Sequence, residues 1–303
     1  MGFKGFWQRK EYRYICSMDQ DAYHLWLPER RDTPVVFSSP HSGQDYPQAF
    51  LDATILDPHA IRSSEDAFVD RLFAHAPLVG APLIAARAPR AYIDLNRAAD
   101  ELDPAVIEGV VRVAHNPRVS SGLGVIPRVV AGGRQIYRGK LPLHEAEHRL
   151  ARHWRPYHDA LKRLIDESLV LFGKAVLVDC HSMPHEAIEA HARPGQPRPD
   201  VVLGDRFGAA AGRDVVERIE AAFAGAGLRV VRNAPFAGAY IAQAYGRPSR
   251  GAHVVQVEID RALYMDEARI EPRADFEAFR GLMAQVIAEV AQIGRDRVPL
   301  AAE

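Results

Sequence analysis

Seven short runs along the chain are dense in Val, Ile, Leu and Ala, and several stop at a polar or charged residue: 34–39, 82–86, 91–95, 175–180, 201–204, 228–232 and 253–259. Several are continuously apolar, which suits strands buried on both faces rather than strands with one wet side. Between most of them, residues 66–76, 143–172, 206–225 and 275–293 place apolar side chains at three- and four-residue spacing, the pattern of helices that bury one face. This alternation predicts an α/β fold in a single domain, with a mixed, mostly parallel sheet flanked by helices. Residues 1–30 are expected to be a peripheral N-terminal segment and 31–297 the domain itself. Open α/β sheets gather their functional groups beyond the carboxyl ends of the strands, so the residues that follow each run matter most.

Two segments break the pattern. Residues 100–139 weaken into Gly-, Pro- and Arg-bearing sequence, longer than a plain connection and typical of loops that shape a site. Residues 191–200 (HARPGQPRPD) hold three prolines, which forbid regular helix just after the run at 175–180.

Composition narrows the function. With 48% apolar and 25% charged residues, the 303-residue chain is an ordinary globular mixture able to bury a large core. A formal charge of −1 offers no broad basic surface for phosphates, so no nucleic-acid partner is expected. No apolar stretch approaches the roughly 20 residues of a spanning helix, so no membrane partner is expected either. The opening MGFKGFWQRKEYRYICSM lacks the apolar core of a signal peptide. Cys16 and Cys180 are far apart in sequence, which argues against a disulfide framework and for a cytoplasmic location. None of this bears on oligomeric state.

Candidate chemistry sits at the ends of the runs. A catalytic zinc site needs three protein ligands and one open position, and His41, an acid from Glu65 or Asp66, and His181 are available. Alternation along a strand puts Asp179 on the face of His181, where it would orient the imidazole. Each residue also has a plain structural role open to it: His41 as a loop histidine, Glu65 as part of a helix first turn, His181 as a hydrogen-bonded strand end. Glu258 shares a face with Gln256 in an apolar run, and a carboxylate buried there needs a partner such as a metal or an arginine. It is the candidate general base. Arg90 precedes the Asn96-Arg97 pair by six positions, so two guanidinium groups could flank one pocket and fork onto a carboxylate.

In order, SSPHSGQDYP, SSEDAFVDRLF, RAYIDLNR, VLVDCHSMP, NAPFAGAYIAQAYGRP and VVQVEIDRALYMDE resemble the N-formylglutamate amidohydrolase family. That family is related to the zinc carboxypeptidases and to the aspartoacylase and succinylglutamate desuccinylase group. The resemblance runs from about Val35 to Glu267. It implies a zinc-carboxypeptidase-like, phosphorylase/hydrolase-like architecture, one zinc ion per chain on His41, Asp66 and His181, and Glu258 as the base. It also implies that Asn96 and Arg97 hold a substrate carboxylate and that Arg90 polarises the scissile carbonyl. The implied activity is hydrolysis of N-formyl-L-glutamate, or a similar acidic N-acyl amino acid, with histidine breakdown as its setting; the alternatives are a carboxypeptidase-like peptidase with the same zinc site and a non-enzymatic binder that captures acidic metabolites on its arginines. Tyr240, Tyr245 and the loop 126–137 are expected to shape the rest of the pocket. The chain departs from the carboxypeptidase HxxE pattern, because Gln44 and then Asp45 follow His41. The acid must come from elsewhere, and Asp66 is preferred to Glu65 by the resemblance alone.

Overall fold

In the computed structural model, which describes residues 22–111, 116–189 and 198–295, most of the apolar runs become strands. These are β1 (Tyr23–Trp26), β2 (Val35–Ser39), β3 (Leu83–Ala86), β4 (Ala175–Met183), β5 (Val201–Gly204), β6 (Val230–Arg232) and β7 (Ala252–Asp260). They form one sheet in the order β1-β3-β2-β4-β7-β5-β6. β3, β2, β4 and β7 run parallel, while β1 is antiparallel to β3, and β5, which carries β6 in parallel, is antiparallel to β7. The expected single-domain α/β fold with a mixed, mostly parallel sheet is the observed one.

The two faces of this sheet differ, and the difference positions the chemistry. One face carries Val35, Phe37, Val176, Val178, Cys180, Val255, Val257 and Ile259, buried from end to end against the helices Val69–Leu72, Arg213–Gly225 and Phe276–Val290. The other begins apolar with Val36, Leu177 and Val254, packed on Tyr157, Leu161 and Leu164 of the helix Arg155–Phe172. Toward the carboxyl ends it turns polar, through Ser38, Asp179 and Gln256 to His181 and Glu258. Each apolar side chain buried there would contribute about 1.5–3 kcal/mol. Polar residues at such positions sacrifice that gain, and they do so where three strands end together.

Several elements differ from the sequence-based expectation. Residues 91–95 are not a strand: Tyr92 and Ile93 both donate to the Pro89 carbonyl at 2.9 and 3.2 Å, which closes a turn. Tyr23–Trp26, within the segment expected to be peripheral, is one edge strand of the sheet; residues 1–21, Cys16 among them, lie outside the described residues. The helix expected over 66–76 shrinks to Val69–Leu72, because Phe68 adopts a left-handed φ of 66° and separates Asp66 from the helix. Helix starts only at Arg213 in 206–225, where Arg206 and Phe207 are also left-handed. Part of the irregular stretch 191–200 lies outside the described residues.

Candidate metal centre and active site

The loop after β2 brings His41 beside Asp66, whose backbone amide donates to the His41 carbonyl at 3.0 Å. Gly43 follows, and a Cβ there would lie 2.2 Å from the Ala88 carbonyl oxygen. The glycine therefore serves a close approach to the Arg87–Ala88 backbone. From β4, His181 turns its Nδ1 to within 2.9 Å of Asp66 Oδ2, and His41 Nδ1 stands 3.4 Å from the same oxygen. His41, Asp66 and His181 are all buried and offer ligand atoms within 4.8 Å of one another. Glu65, the alternative acid, faces away and binds Tyr46 at 2.6 Å and Arg62 at 3.0 Å.

The far nitrogens of both imidazoles meet carboxylates. His41 Nε2 lies 2.8 Å from Asp94 Oδ1, and His181 Nε2 lies 3.0 Å from Asp179 Oδ2. At His41 the acceptor on Nε2 places the proton there and leaves the lone pair on Nδ1, the arrangement by which carboxylates orient metal-binding histidines, whereas His181 meets a carboxylate at each nitrogen, Asp66 at Nδ1 and Asp179 at Nε2. His41 Nδ1 is buried and has no hydrogen-bond partner. An orphaned buried nitrogen of this kind costs on the order of 1–3 kcal/mol unless something binds it. A divalent cation fits the residues present: two imidazole nitrogens and one carboxylate oxygen converge, with the other Asp66 oxygen held by Arg261 at 3.0 Å.

The carboxylates dominate the electrostatics of the centre. Burial opposes the charged form of Asp66, yet its hydrogen bond to His181 and the nearby His41 imidazole hold the carboxyl well below the usual range. Burial likewise opposes a charged His181, and Asp179 and Asp66 outweigh it. Asp66, Asp94, Asp179 and Glu258 are all buried around the centre, faced by Arg90, Arg97 and Arg261.

Glu258 is the register neighbour of His181 on the adjacent strand. Burial pushes its carboxyl up to about 7, with His181 opposing and Asp66 adding to the rise. Gln256 Nε2 donates to Glu258 Oε1 at 2.8 Å, while Gln256 Oε1 accepts from the Ala239 amide at 2.9 Å, so a side chain two positions back fixes the carboxylate. Arg90 Nε donates to Asp94 Oδ2 at 3.1 Å and lines the same cleft.

That cleft has a volume of about 530 Å³ and reaches from His41, Asp66, His181 and Glu258 outward past Arg97 to Arg118. Pro127 and the stretch from Val129 to Gly133 form one wall, as expected for the loop 126–137. The segment from Pro235 to Ala239 forms another, lying so close over β5 that a Cβ on Gly204 would sit 2.6 Å from the Gly238 nitrogen. Arg97 fixes its Nε on the Leu123 carbonyl at 2.9 Å and its Nη1 on the Asn96 carbonyl at 2.8 Å, leaving Nη2 for the cleft. The Asn96 amide is engaged inside the protein: Nδ2 lies 3.2 Å from Asp179 Oδ2, and Oδ1 accepts from the Ile241 amide at 2.7 Å.

Tyr240 and Tyr245, expected to shape the pocket, are not among the residues that line the cleft. They pack on His158, with ring centroids at 5.5 and 5.9 Å, and the Tyr245 hydroxyl lies 2.8 Å from His158 Nδ1. Burial pushes His158 down to about 4 from the ordinary 6.5. Its neutral form therefore stabilises the fold fully above pH 6.5, and that contribution, about 3 kcal/mol, is lost as pH falls from 6.5 to about 4. In His158→Gln the decline of the urea midpoint across this window is expected to flatten; superimposable acid limbs would contradict the account.

Three functional side chains escaped the sequence reading. Asp94 carries no role in the sequence reading, although it orients His41. Gln256 was noted for sharing the Glu258 face but given no role. Arg261, just past β7, bridges Asp66 and Ser182, the latter at 3.2 Å. The alternation Gln256, Glu258 carried a signal for the second, whereas Arg261 had none, since an arginine after a strand is common.

The sequence profile of N-formylglutamate amidohydrolases matches residues 33–265. The chain is 32% identical over 275 residues to the N-formylglutamate deformylase of Pseudomonas aeruginosa, covering 89% of this chain and 97% of that one. Against the N-formylglutamate deformylase of Pseudomonas putida it is 31% identical, covering 77% and 82%. The crystal structure of N-formylglutamate amidohydrolase from Ralstonia eutropha superposes with a TM-score of 0.86 at 35% identity, over 92% of this chain and all of that one. With the profile spanning most of the sequence and the fold superposing along nearly its full length, the chain belongs to the N-formylglutamate amidohydrolase family.

Proposed function

We propose that this protein is a cytoplasmic zinc-dependent enzyme that hydrolyses the formyl amide of N-formyl-L-glutamate to formate and L-glutamate. The observation that carries the reading is the convergence of the orphaned His41 Nδ1, His181 Nδ1 and Asp66 Oδ2 beside a buried base and an arginine-lined cleft. Two imidazoles and one carboxylate with a further position open match the donor set of catalytic zinc.

A bound zinc ion would supply Lewis acidity for the formyl carbonyl and lower the pKa of water to about 7. Glu258 accepts the proton from water as the new C–O bond forms. It then delivers that proton to the glutamate nitrogen as the C–N bond breaks, so the departing group leaves as the neutral amine. Arg90, anchored on Asp94, points its remaining N–H groups at the charge developing on the carbonyl oxygen. The substrate carries two carboxylates. Arg97 and Arg118 line the cleft without an ion pair to any described residue, and they are the matching anchors.

The test is formate release from N-formyl-L-glutamate beside N-formyl-L-aspartate, N-acetyl-L-glutamate and N-succinyl-L-glutamate, with N-formyl-L-glutamate expected to give the highest kcat/KM. Preference for one of the others would reassign the substrate, and no turnover of any would refute the enzyme. Arg118→Ala is expected to raise KM for N-formyl-L-glutamate about tenfold, in line with loss of a charged hydrogen bond, with much less effect on N-formyl-L-glutamine. An equal rise for both would remove Arg118 from side-chain recognition.

A further inference from the structure

The turn Tyr92–Arg97 carries Asp94, Asn96 and Arg97, yet it belongs to no strand, so its buried carbonyls have no ladder partners. Buried carbonyls require donors from somewhere. Three of them find donors on one helical face, while the Asn96 carbonyl accepts from Arg97 Nη1. Arg149 Nη1 donates to the Tyr92 carbonyl at 3.0 Å, His158 Nε2 to the Leu95 carbonyl at 2.9 Å, and Trp154 Nε1 to the Arg97 carbonyl at 2.9 Å.

Those three donors could not face one segment from a uniform α-helix. Arg149 and His158 are nine positions apart, and at about 100° per residue that spacing puts them on opposite sides. Between them Leu150–Trp154 forms a π-helical turn, with the Arg155 amide bonded to the Leu150 carbonyl five residues back. Such a turn absorbs one extra residue. The spacing then acts like eight positions, and the angle between the two side chains falls to about 80°. Trp154, at the end of the turn, lies tilted against His158 at 4.0 Å and against Tyr240 at 5.9 Å, packing that holds the indole whose Nε1 reaches the Arg97 carbonyl. The Arg149 guanidinium also lies 4.0 Å from the Tyr92 ring centroid and donates to the Tyr137 hydroxyl at 2.8 Å, tying in the loop that forms a cleft wall.

We propose that the π turn Leu150–Trp154 is a registration device that makes Arg149, Trp154 and His158 positioning residues, with Trp154 setting the Arg97 guanidinium for the substrate carboxylate. The inference rests on the proposed function for its substrate but on hydrogen bonds alone for its geometry. Trp154→Phe retains an aromatic ring against His158 and removes only the N–H. The expected result is a rise of about tenfold in KM for N-formyl-L-glutamate, with a parallel rise in the inhibition constant of L-glutamate and kcat within about twofold of wild type. Unchanged KM, or a fall confined to kcat, would overturn the proposal.

A second pair guards against a variant that fails to fold. His158→Gln keeps an N–H donor and is expected to stay within about threefold of the wild-type KM, whereas His158→Leu is expected to exceed it by tenfold; equal values in the pair would count against the clamp. Amide hydrogen exchange of peptides spanning 92–97 reads the clamp without turnover. Faster exchange in Trp154→Phe supports it and unchanged exchange defeats it. Should wild type fail to release formate while exchange in the variant still speeds up, the substrate reading falls and the clamp stands.

Discussion

Replacing Glu258 by Gln is expected to lower formate release from N-formyl-L-glutamate about a thousandfold while leaving zinc content at the wild-type level. The substitution preserves shape and the contact with Gln256 but removes the carboxylate proposed to take a proton from water, and a positioned base contributes on the order of 10²–10⁴ in rate. Folding should not suffer. Burial already pushes the Glu258 carboxyl up to about 7, and an amide at that position removes a charge that stands beside Asp66. A variant that lost zinc together with activity would move Glu258 from base to ligand. One that kept turnover within tenfold of wild type would take it out of the mechanism altogether.

The second large effect concerns the centre itself. His181→Ala is expected to purify with less than about a tenth of an equivalent of zinc and to release no measurable formate, because one of three converging donors is gone. Asp179→Asn tests the layer behind. Its carboxylate meets His181 Nε2 at 3.0 Å, and loss of such a partner typically weakens metal affinity about 10–100-fold. Titration with a competing chelator should therefore rank wild type above Asp179→Asn above His181→Ala. Retention of a full equivalent of zinc by His181→Ala would sink the centre as described, whatever the activity.

How legible these residues were follows from the strands that carry them. His181 and Glu258 could be read because each occupies a polar position inside an apolar run, where alternation assigns the face and burial demands a partner. Asp66 was legible only through family resemblance. Its place beside His41 depends on a backbone bond between two loops and on the left-handed Phe68 that parts it from the helix, and neither leaves a periodic trace. The turn at 91–95 misled for a related reason. Ala91, Ile93 and Leu95 alternate and are all buried, so the run looks like a strand, yet its carbonyls bond to helix side chains instead of a neighbouring strand.

The chain alone specified an α/β sheet, the runs that build it and the polar residues that interrupt it, because periodicity and burial act over a few consecutive positions. Tertiary structure decided which polar groups meet. Strand order set His181 beside Glu258, the loop after β2 brought His41 to Asp66, and one π turn aimed three donors at the turn bearing Arg97. Those are contacts between segments 25 to about 200 residues apart, as the Arg261–Asp66 pair with its separation of 195 shows. Local sequence preference carries no record of such distances.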